Sequence, residues 1–269
     1  MHYDPIKQTM GNLVRENRVL RRMFYGALGA LFLREWHVKR TLRALFRENS
    51  IGRVFDAGSG FGQYSYYIAK RYPRAGIYAV DVKEEQIRDC QRFFKSARLN
   101  HVLFAIEDLT QPHHRDEFDL VLSVDVMEHI PDDTLVFRNL YTALRSKGFL
   151  VVNTPAAPED SVHKKNPAEG SFIDEHVRNG YSPKEIREKL TTVGFDVERI
   201  QFTYGPYGAI AWTVGIKIPM QLLGTSKLFF AVLPLYYLIA LPISWAFMAL
   251  DYFIESRSGG GLLVVARKP

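Results

Sequence analysis

The chain has 269 residues, enough for one α/β domain with additions and too few for two ordinary domains and a linker. Hydrophobic residues at 47% and charged residues at 24% exclude a disordered chain, and the single Cys90 excludes an intrachain disulfide. The net charge of +6 is confined to one end: residues 1–50 hold ten basic and four acidic side chains, and the remaining residues balance. A basic segment of this kind suits an anionic membrane surface or nucleic acid, or is a solvated helix face.

Residues 10–48 lack proline and carry helical spacing, which predicts two helices broken near Gly26 or Gly29. The apolar run Phe24–Leu33 follows Arg21-Arg22, but Arg34-Glu35-Trp36 comes next and no small-residue cleavage site follows, so it reads as helix and not as a secretory signal. From Arg53 onward strands alternate with helices. Strands are expected at Val54–Asp56, Ile77–Val80, Val102–Ile106, Asp119–Val124, Phe149–Asn153, Val197–Thr203 and Leu262–Ala266. Helices are expected at Gln63–Arg71, Lys83–Ala97 and 132–145, and another opens at Ser182-Pro183 with an N-cap and a first-turn proline. This alternation implies a doubly wound, mostly parallel α/β sheet. Residues 154–181 form a polar loop, and residues 204–261 form a hydrophobic insertion between strands six and seven.

Three acidic positions carry the chemistry. Asp56-Ala57-Gly58-Ser59-Gly60-Phe61-Gly62 joins a strand to a helix, where glycines allow φ > 0 and let a ligand lie on bare backbone. Its G-x-G-x-G spacing is neither the nicotinamide-dinucleotide fingerprint nor a phosphate loop. An acid two positions before the first glycine is awkward for a pyrophosphate and sensible for a ligand with a charged amino group. Asp81 ends the second strand and is placed for ribose hydroxyls, and Asp108 ends the third and is placed for an adenine amino group. Each acid alone reads as a solvated loop residue. Three at the carboxyl ends of successive strands do not.

These motifs, with Glu107-Asp108 and Phe118-Asp119-Leu120-Val121-Leu122-Ser123-Val124-Asp125-Val126-Met127-Glu128-His129-Ile130, resemble those of class I S-adenosylmethionine (SAM) methyltransferases, and most of all the branch of ubiquinone-biosynthesis O-methyltransferases and related small-molecule enzymes. The resemblance covers about residues 50–202 and the last strand. It implies a seven-stranded sheet of order 3-2-1-4-5-7-6 with the last strand antiparallel. It also implies SAM as cofactor, with S-adenosylhomocysteine as product. Gly58, Ser59, Gly60 and Gly62 would meet the methionyl part, Asp81 the ribose, Asp108 the adenine, and Ser123 and Val124 the sulfonium end, with Asp56, Tyr64, Val82 and Leu109 as further cofactor-binding residues. The stretch Asp174–Ser182 resembles the loop that covers the site in the same branch. His129 and His176 are candidate bases, each alternatively a packing or loop-closing residue, and Glu128, Arg178 and Tyr181 are candidate acceptor contacts. His163 is a weaker candidate, and His113-His114 reads as surface. Asp125, Glu128 and His129 come from one short turn, and no metal is expected.

Leu228–Leu250 has no charged residue over 23 positions, long enough as a helix for a bilayer core of about 30 Å. Strands six and seven are neighbours in one soluble sheet, so a single crossing is topologically excluded. Pro234 and Pro242 invite kinks. The expectation is a helical pair shallow in one leaflet, the alternatives being a lid or a homodimer interface. The chain therefore divides into basic N-terminal helices (1–49), a SAM domain (50–203 and 262–269) and a membrane-associated insertion (204–261). The expected function is methylation of a lipophilic small molecule or lipid precursor at a hydroxyl, on the cytoplasmic side of a membrane, by a monotopic or peripheral enzyme. The alternatives are a soluble small-molecule methyltransferase and a non-catalytic SAM-fold scaffold. Nucleic acid is not an expected partner, since Ser123-Val124-Asp125-Val126 stands where a base-flipping loop would lie.

Overall fold

In the computed structural model, residues 18–158, 177–226 and 228–269 are described. Seven strands form one sheet: β1 (Arg53–Ala57), β2 (Gly76–Asp81), β3 (Val102–Ile106), β4 (Phe118–Val124), β5 (Leu144–Pro155), β6 (Asp196–Thr203) and β7 (Gly261–Arg267). Their order is β3-β2-β1-β4-β5-β7-β6. All neighbours are parallel except β7, which runs antiparallel to both β5 and β6. Alternation along the strands divides the core into two layers. Val54, Leu120, Leu122 and Val151 face one side, and Phe55, Val121, Leu150 and Val152 the other.

The first layer is covered by α1 (Arg18–Leu31), α2 (Leu33–Glu48), α3 (Gln63–Arg71) and α4 (Glu84–Ser96). The second is covered by α5 (Asp133–Ala143) and α6 (Pro183–Val193). Helix α6 starts as its sequence dictates: the Ser182 hydroxyl accepts the Glu185 N–H at 3.1 Å, Pro183 occupies the first turn, and Gly194 closes the helix at φ +113°.

The break between the N-terminal helices is not at a glycine. Gly26 and Gly29 lie inside α1, and the chain turns at Phe32, whose backbone is extended. Packing decides this over propensity: Leu33 is fully buried, and the Trp36 indole donates to the Gly29 carbonyl at 2.7 Å across the corner.

The insertion is a helical hairpin. One arm runs through α7 (Pro206–Trp212), a π-turn (Thr213–Lys217) and α8 (Ile218–Thr225); the other is α9 (Phe229–Phe253). Pro234 and Pro242 both lie within α9 without ending it. Pro219 has no N–H, so it cannot serve the Val214 and Gly215 carbonyls behind it. The hydroxyls of Tyr236 and Tyr237 donate to those two carbonyls at 2.7 and 2.9 Å, and Ser244 donates to Ala211 at 3.0 Å. The arms are thus joined by side chains completing backbone. The hairpin leaves after Thr203 and returns at Gly261, which are paired in the sheet. It is seated on the N-terminal helices: the Trp245 indole donates to Ala30, and Arg40 donates to the Tyr252 carbonyl.

Candidate active site

The carboxyl ends of β1, β2, β3 and β4 meet at one edge. The Gly58 and Ser59 N–H groups donate to the Val80 carbonyl at 3.0 and 2.8 Å, which folds the glycine turn over the end of β2. Gly58, Gly60 and Gly62 have φ of +85°, +51° and +73°. A side chain at Gly58 would strike Val126 at 2.3 Å, and one at Gly62 would press on Cys90 at 3.2 Å. A side chain at Gly60 would meet nothing within 4 Å, so this glycine is the one that opens onto free space. Asp81 stands beside it, its carboxylate accepting the Gly60 N–H and the Lys83 N–H, each at 2.9 Å. Val82 is exposed at the lip. Asp108 accepts both the N–H and the hydroxyl of Thr110, at 2.9 and 2.8 Å, and the Leu109 carbonyl is held by Asn139 at 2.9 Å.

Asp56 is placed differently from its expected ligand contact. It is buried under the turn, where the Ser65 hydroxyl donates to it at 2.6 Å, and burial pushes its carboxyl up to about 6. It braces the turn from inside. Tyr64 is buried beside Glu35, Arg34 and Asp125. Ser123 is fully buried at the end of β4, with Val124 half-buried after it. The hydroxyls of Ser59 and Ser123 are both buried and without a hydrogen-bond partner among the described residues. Orphaned donors are rare unless a ligand or water completes them. Open space over Gly60 and two orphaned hydroxyls fit a polar ligand lying across the turn.

Beyond β4, Asp125 takes a left-handed backbone conformation at φ +53°, and its N–H donates to the Asn153 carbonyl at 2.8 Å. Its carboxylate is ion-paired with Arg34, at the start of α2. The Arg34 N–H in turn donates to the Tyr204 hydroxyl at the base of the hairpin, at 3.3 Å. Glu128, in a 3-10 turn (Met127–His129), is 1% exposed and accepts the Thr154 hydroxyl at 3.2 Å. Burial, then the nearby Asp125 charge, pushes its carboxyl up to about 8. His129 follows it, half-buried.

Arg178 and Tyr181 converge on Asp133. Tyr181 is fully buried and donates to Asp133 at 2.6 Å; Arg178 pairs with the same carboxylate at 2.7 Å, and Lys189 with its other oxygen at 2.8 Å. These contacts pin the chain just after residue 176, while the Arg178 Nε is buried without a hydrogen-bond partner among the described residues. His163 and His176 lie outside the described residues. His114, expected on the surface, is instead half-buried between Glu107 and Glu117, at 3.1 and 3.2 Å.

Two contributors come from outside the motifs. Arg21 is 2% exposed and donates to Asp89 at 2.5 Å and to the Phe61 carbonyl at 2.8 Å. The Tyr25 hydroxyl donates to the same carbonyl at 2.6 Å. Helix α1 therefore clamps the middle of the glycine turn. The signal was present: Arg21 falls on the face of α1 that also buries Tyr25, where a charge needs a partner.

The model of a methyltransferase domain matches residues 48–199. The chain belongs to this methyltransferase family. It is a class I enzyme, and its methyl donor is SAM. Over 199 residues it is 26% identical to trans-aconitate 2-methyltransferase of Deinococcus radiodurans, covering 66% of this chain and 74% of that one. It is 26% identical to malonyl-[acyl-carrier protein] O-methyltransferase of Bacillus anthracis over 42% of this chain, a match that spans 41% of that enzyme. Among solved structures, phosphoethanolamine N-methyltransferase 2 of Haemonchus contortus, in complex with SAM, superposes with a TM-score of 0.57 at 16% identity, over 81% of this methyltransferase and 49% of that chain. The named acceptors are an acid, a protein-bound acyl group and an amine. The methyltransferase core is shared and the acceptor is not.

Proposed function

We propose that this methyltransferase transfers the methyl group of SAM to a hydroxyl of a lipophilic small molecule or lipid precursor, at a membrane surface. One observation carries the reading. The hairpin leaves the sheet at the same edge as the site and exposes an apolar face: Leu235, Leu238, Ile239 and Phe253 are 67%, 72%, 69% and 77% exposed. Helix α9 is long and apolar enough to span a bilayer, yet only 11% of its apolar window is buried, unlike the core helix of a soluble protein. Each inserted side chain contributes about 1.5–3 kcal/mol, so a few suffice for docking. The arms begin and end at one sheet edge, which supports a monotopic hairpin in one leaflet.

When bound, SAM supplies an electrophilic methyl group. In this reading Asp81 holds the ribose hydroxyls, Asp108 and Leu109 the adenine, and the glycine turn with Ser59, Ser123 and Val124 the methionyl and sulfonium end. In this reading Glu128 is the base, protonated near neutral pH and able to take the hydroxyl proton as pH rises through about 8. His129 is the second candidate base. The Arg34–Asp125 pair sets the local field and orients the acceptor.

Replacing residues 207–257 by a short Gly/Ser linker tests the reading. The product should be soluble without detergent, bind SAM, no longer float with vesicles, and lose activity on lipid extracts, where the full chain adds 14 daltons to an acceptor. A full-length protein that ignores vesicles at low salt and forms a dimer through the hairpin would overturn it.

A further inference from the structure

A groove of about 360 Å³ runs between α1, α2 and α3, apart from the glycine turn. Gln63, Tyr66 and Lys70, spaced one helical turn apart, carry it along the length of α3, and Arg71 closes its far end. Arg22 enters from α1 and Lys39 from α2. Lys39 is neutralised by Glu35 at 2.7 Å. Arg22, Lys70 and Arg71 pair with no carboxylate among the described residues, so the groove keeps three positive charges. At its inner end the Gln63 side-chain carbonyl is buried and accepts no hydrogen bond among the described residues. An orphaned acceptor and these three cations thus edge a mostly apolar cleft of ordinary ligand size.

We propose that this groove binds the headgroup of an anionic phospholipid that carries a free hydroxyl, of the phosphatidylglycerol type. The phosphodiester sits among Arg22, Lys70 and Arg71, and a headgroup hydroxyl donates to Gln63. The surroundings favour a lipid over a soluble phosphate. On α1, Val19 and Met23, 61% and 64% exposed, flank Arg22 on consecutive turns and offer an apolar lip for the acyl chains. The same helix is bonded to α9 through Trp245 and Ala30, which ties the groove to the apolar hairpin. The inference rests on the membrane reading above and adds a lipid preference to it.

Vesicle flotation of the full-length protein at physiological salt tests both and separates them. Wild type should bind phosphatidylcholine vesicles through the hairpin, and bind them at least tenfold more tightly when they contain phosphatidylglycerol. A cation near an anionic surface is worth about fivefold in affinity. Arg22→Gln/Lys70→Gln/Arg71→Gln should lose that gain while keeping neutral-vesicle binding and SAM affinity. The same charge change at Arg88, Lys95 and Arg187, outside the groove, should lower the gain by much less. Gln63→Leu, with charge unchanged, should reduce it severalfold. Glycerol 1-phosphate in solution should compete only weakly; full competition at low concentration would make the ligand a soluble phosphate and overturn the lipid assignment. A triple variant that keeps the whole gain, or loses no more than the off-groove triple, overturns the groove. Wild type that binds neither vesicle type overturns the membrane reading itself.

Discussion

Gly58 and Gly60 lie two residues apart in the same turn, and alanine should affect them in opposite ways. At Gly58, φ +85° costs an alanine about 1–2 kcal/mol. Its new Cβ would sit 2.3 and 2.9 Å from the two methyl groups of Val126, an overpacking of about 1–3 kcal/mol. Together this is about 2–5 kcal/mol, or a fall in Tm of about 4–20 °C at roughly 2–4 °C per kcal/mol. Val126→Ala removes both methyls and should return the packing share, leaving the backbone share. At Gly60 the backbone cost is similar, but the Cβ meets open space, so the fall should be only about 2–8 °C. SAM affinity should nevertheless drop at least tenfold, because in the proposed reading the methyl group occupies the surface on which the cofactor would lie. Differential scanning fluorimetry gives the stabilities and isothermal titration calorimetry the affinities. Gly60→Ala with unchanged SAM affinity, or as destabilised as Gly58→Ala, would refute the reasoning.

In the proposed reading Asp81 accepts two ribose hydroxyls, each bond worth about 1.5–3 kcal/mol, so for Asp81→Ala calorimetry should find SAM affinity reduced at least tenfold with the fold intact. Glu128 has a folded pKa raised above its ordinary value to about 8, so its contribution to stability is full below the ordinary carboxylate range and is lost as pH rises toward 8. Glu128→Gln should flatten that decline in thermal melts between pH 5 and 9, and lower kcat in the alkaline range by about 10²–10⁴-fold if Glu128 is the base; a His129→Ala variant with the same loss would transfer the role. Arg21→Met leaves buried Asp89 with only Arg92, at 3.6 Å, and should cost about 3 kcal/mol in chemical denaturation. Tyr25→Phe removes one donor from the Phe61 carbonyl and also the acceptor of the buried Arg21 Nε–H, and should cost about 1–3 kcal/mol.

The sheet was legible because strand, turn and helix signals agree locally. Each expected strand is present, and β5 is longer than expected because Leu144 already pairs with Phe118. Asp81 and Asp108 were legible as strand-end acids. Asp56 was legible as important but not as buried, because spacing does not tell which side of a turn a carboxylate takes. The basic N-terminal surplus misled in part: Arg21 and Arg34 count as cations, but Arg21 is buried holding Asp89 and Arg34 is half-buried holding Asp125. Arg178 and Tyr181 looked like acceptor contacts because Asp133, 45 residues before Arg178, gives no hint in sequence that it gathers both. Long-range pairing of this kind is invisible to any local pattern.

The hydroxyls of Tyr236 and Tyr237 make the two arms of the hairpin one cooperative unit. Without the second arm the first would lose the two hydroxyl donors that meet the Val214 and Gly215 carbonyls behind Pro219. In water such a defect is mended by solvent. In hydrocarbon it is not, at a cost of several kcal/mol per group. A single arm therefore has no favourable way to enter lipid ahead of the other, and the hairpin should partition as a closed pair or stay out.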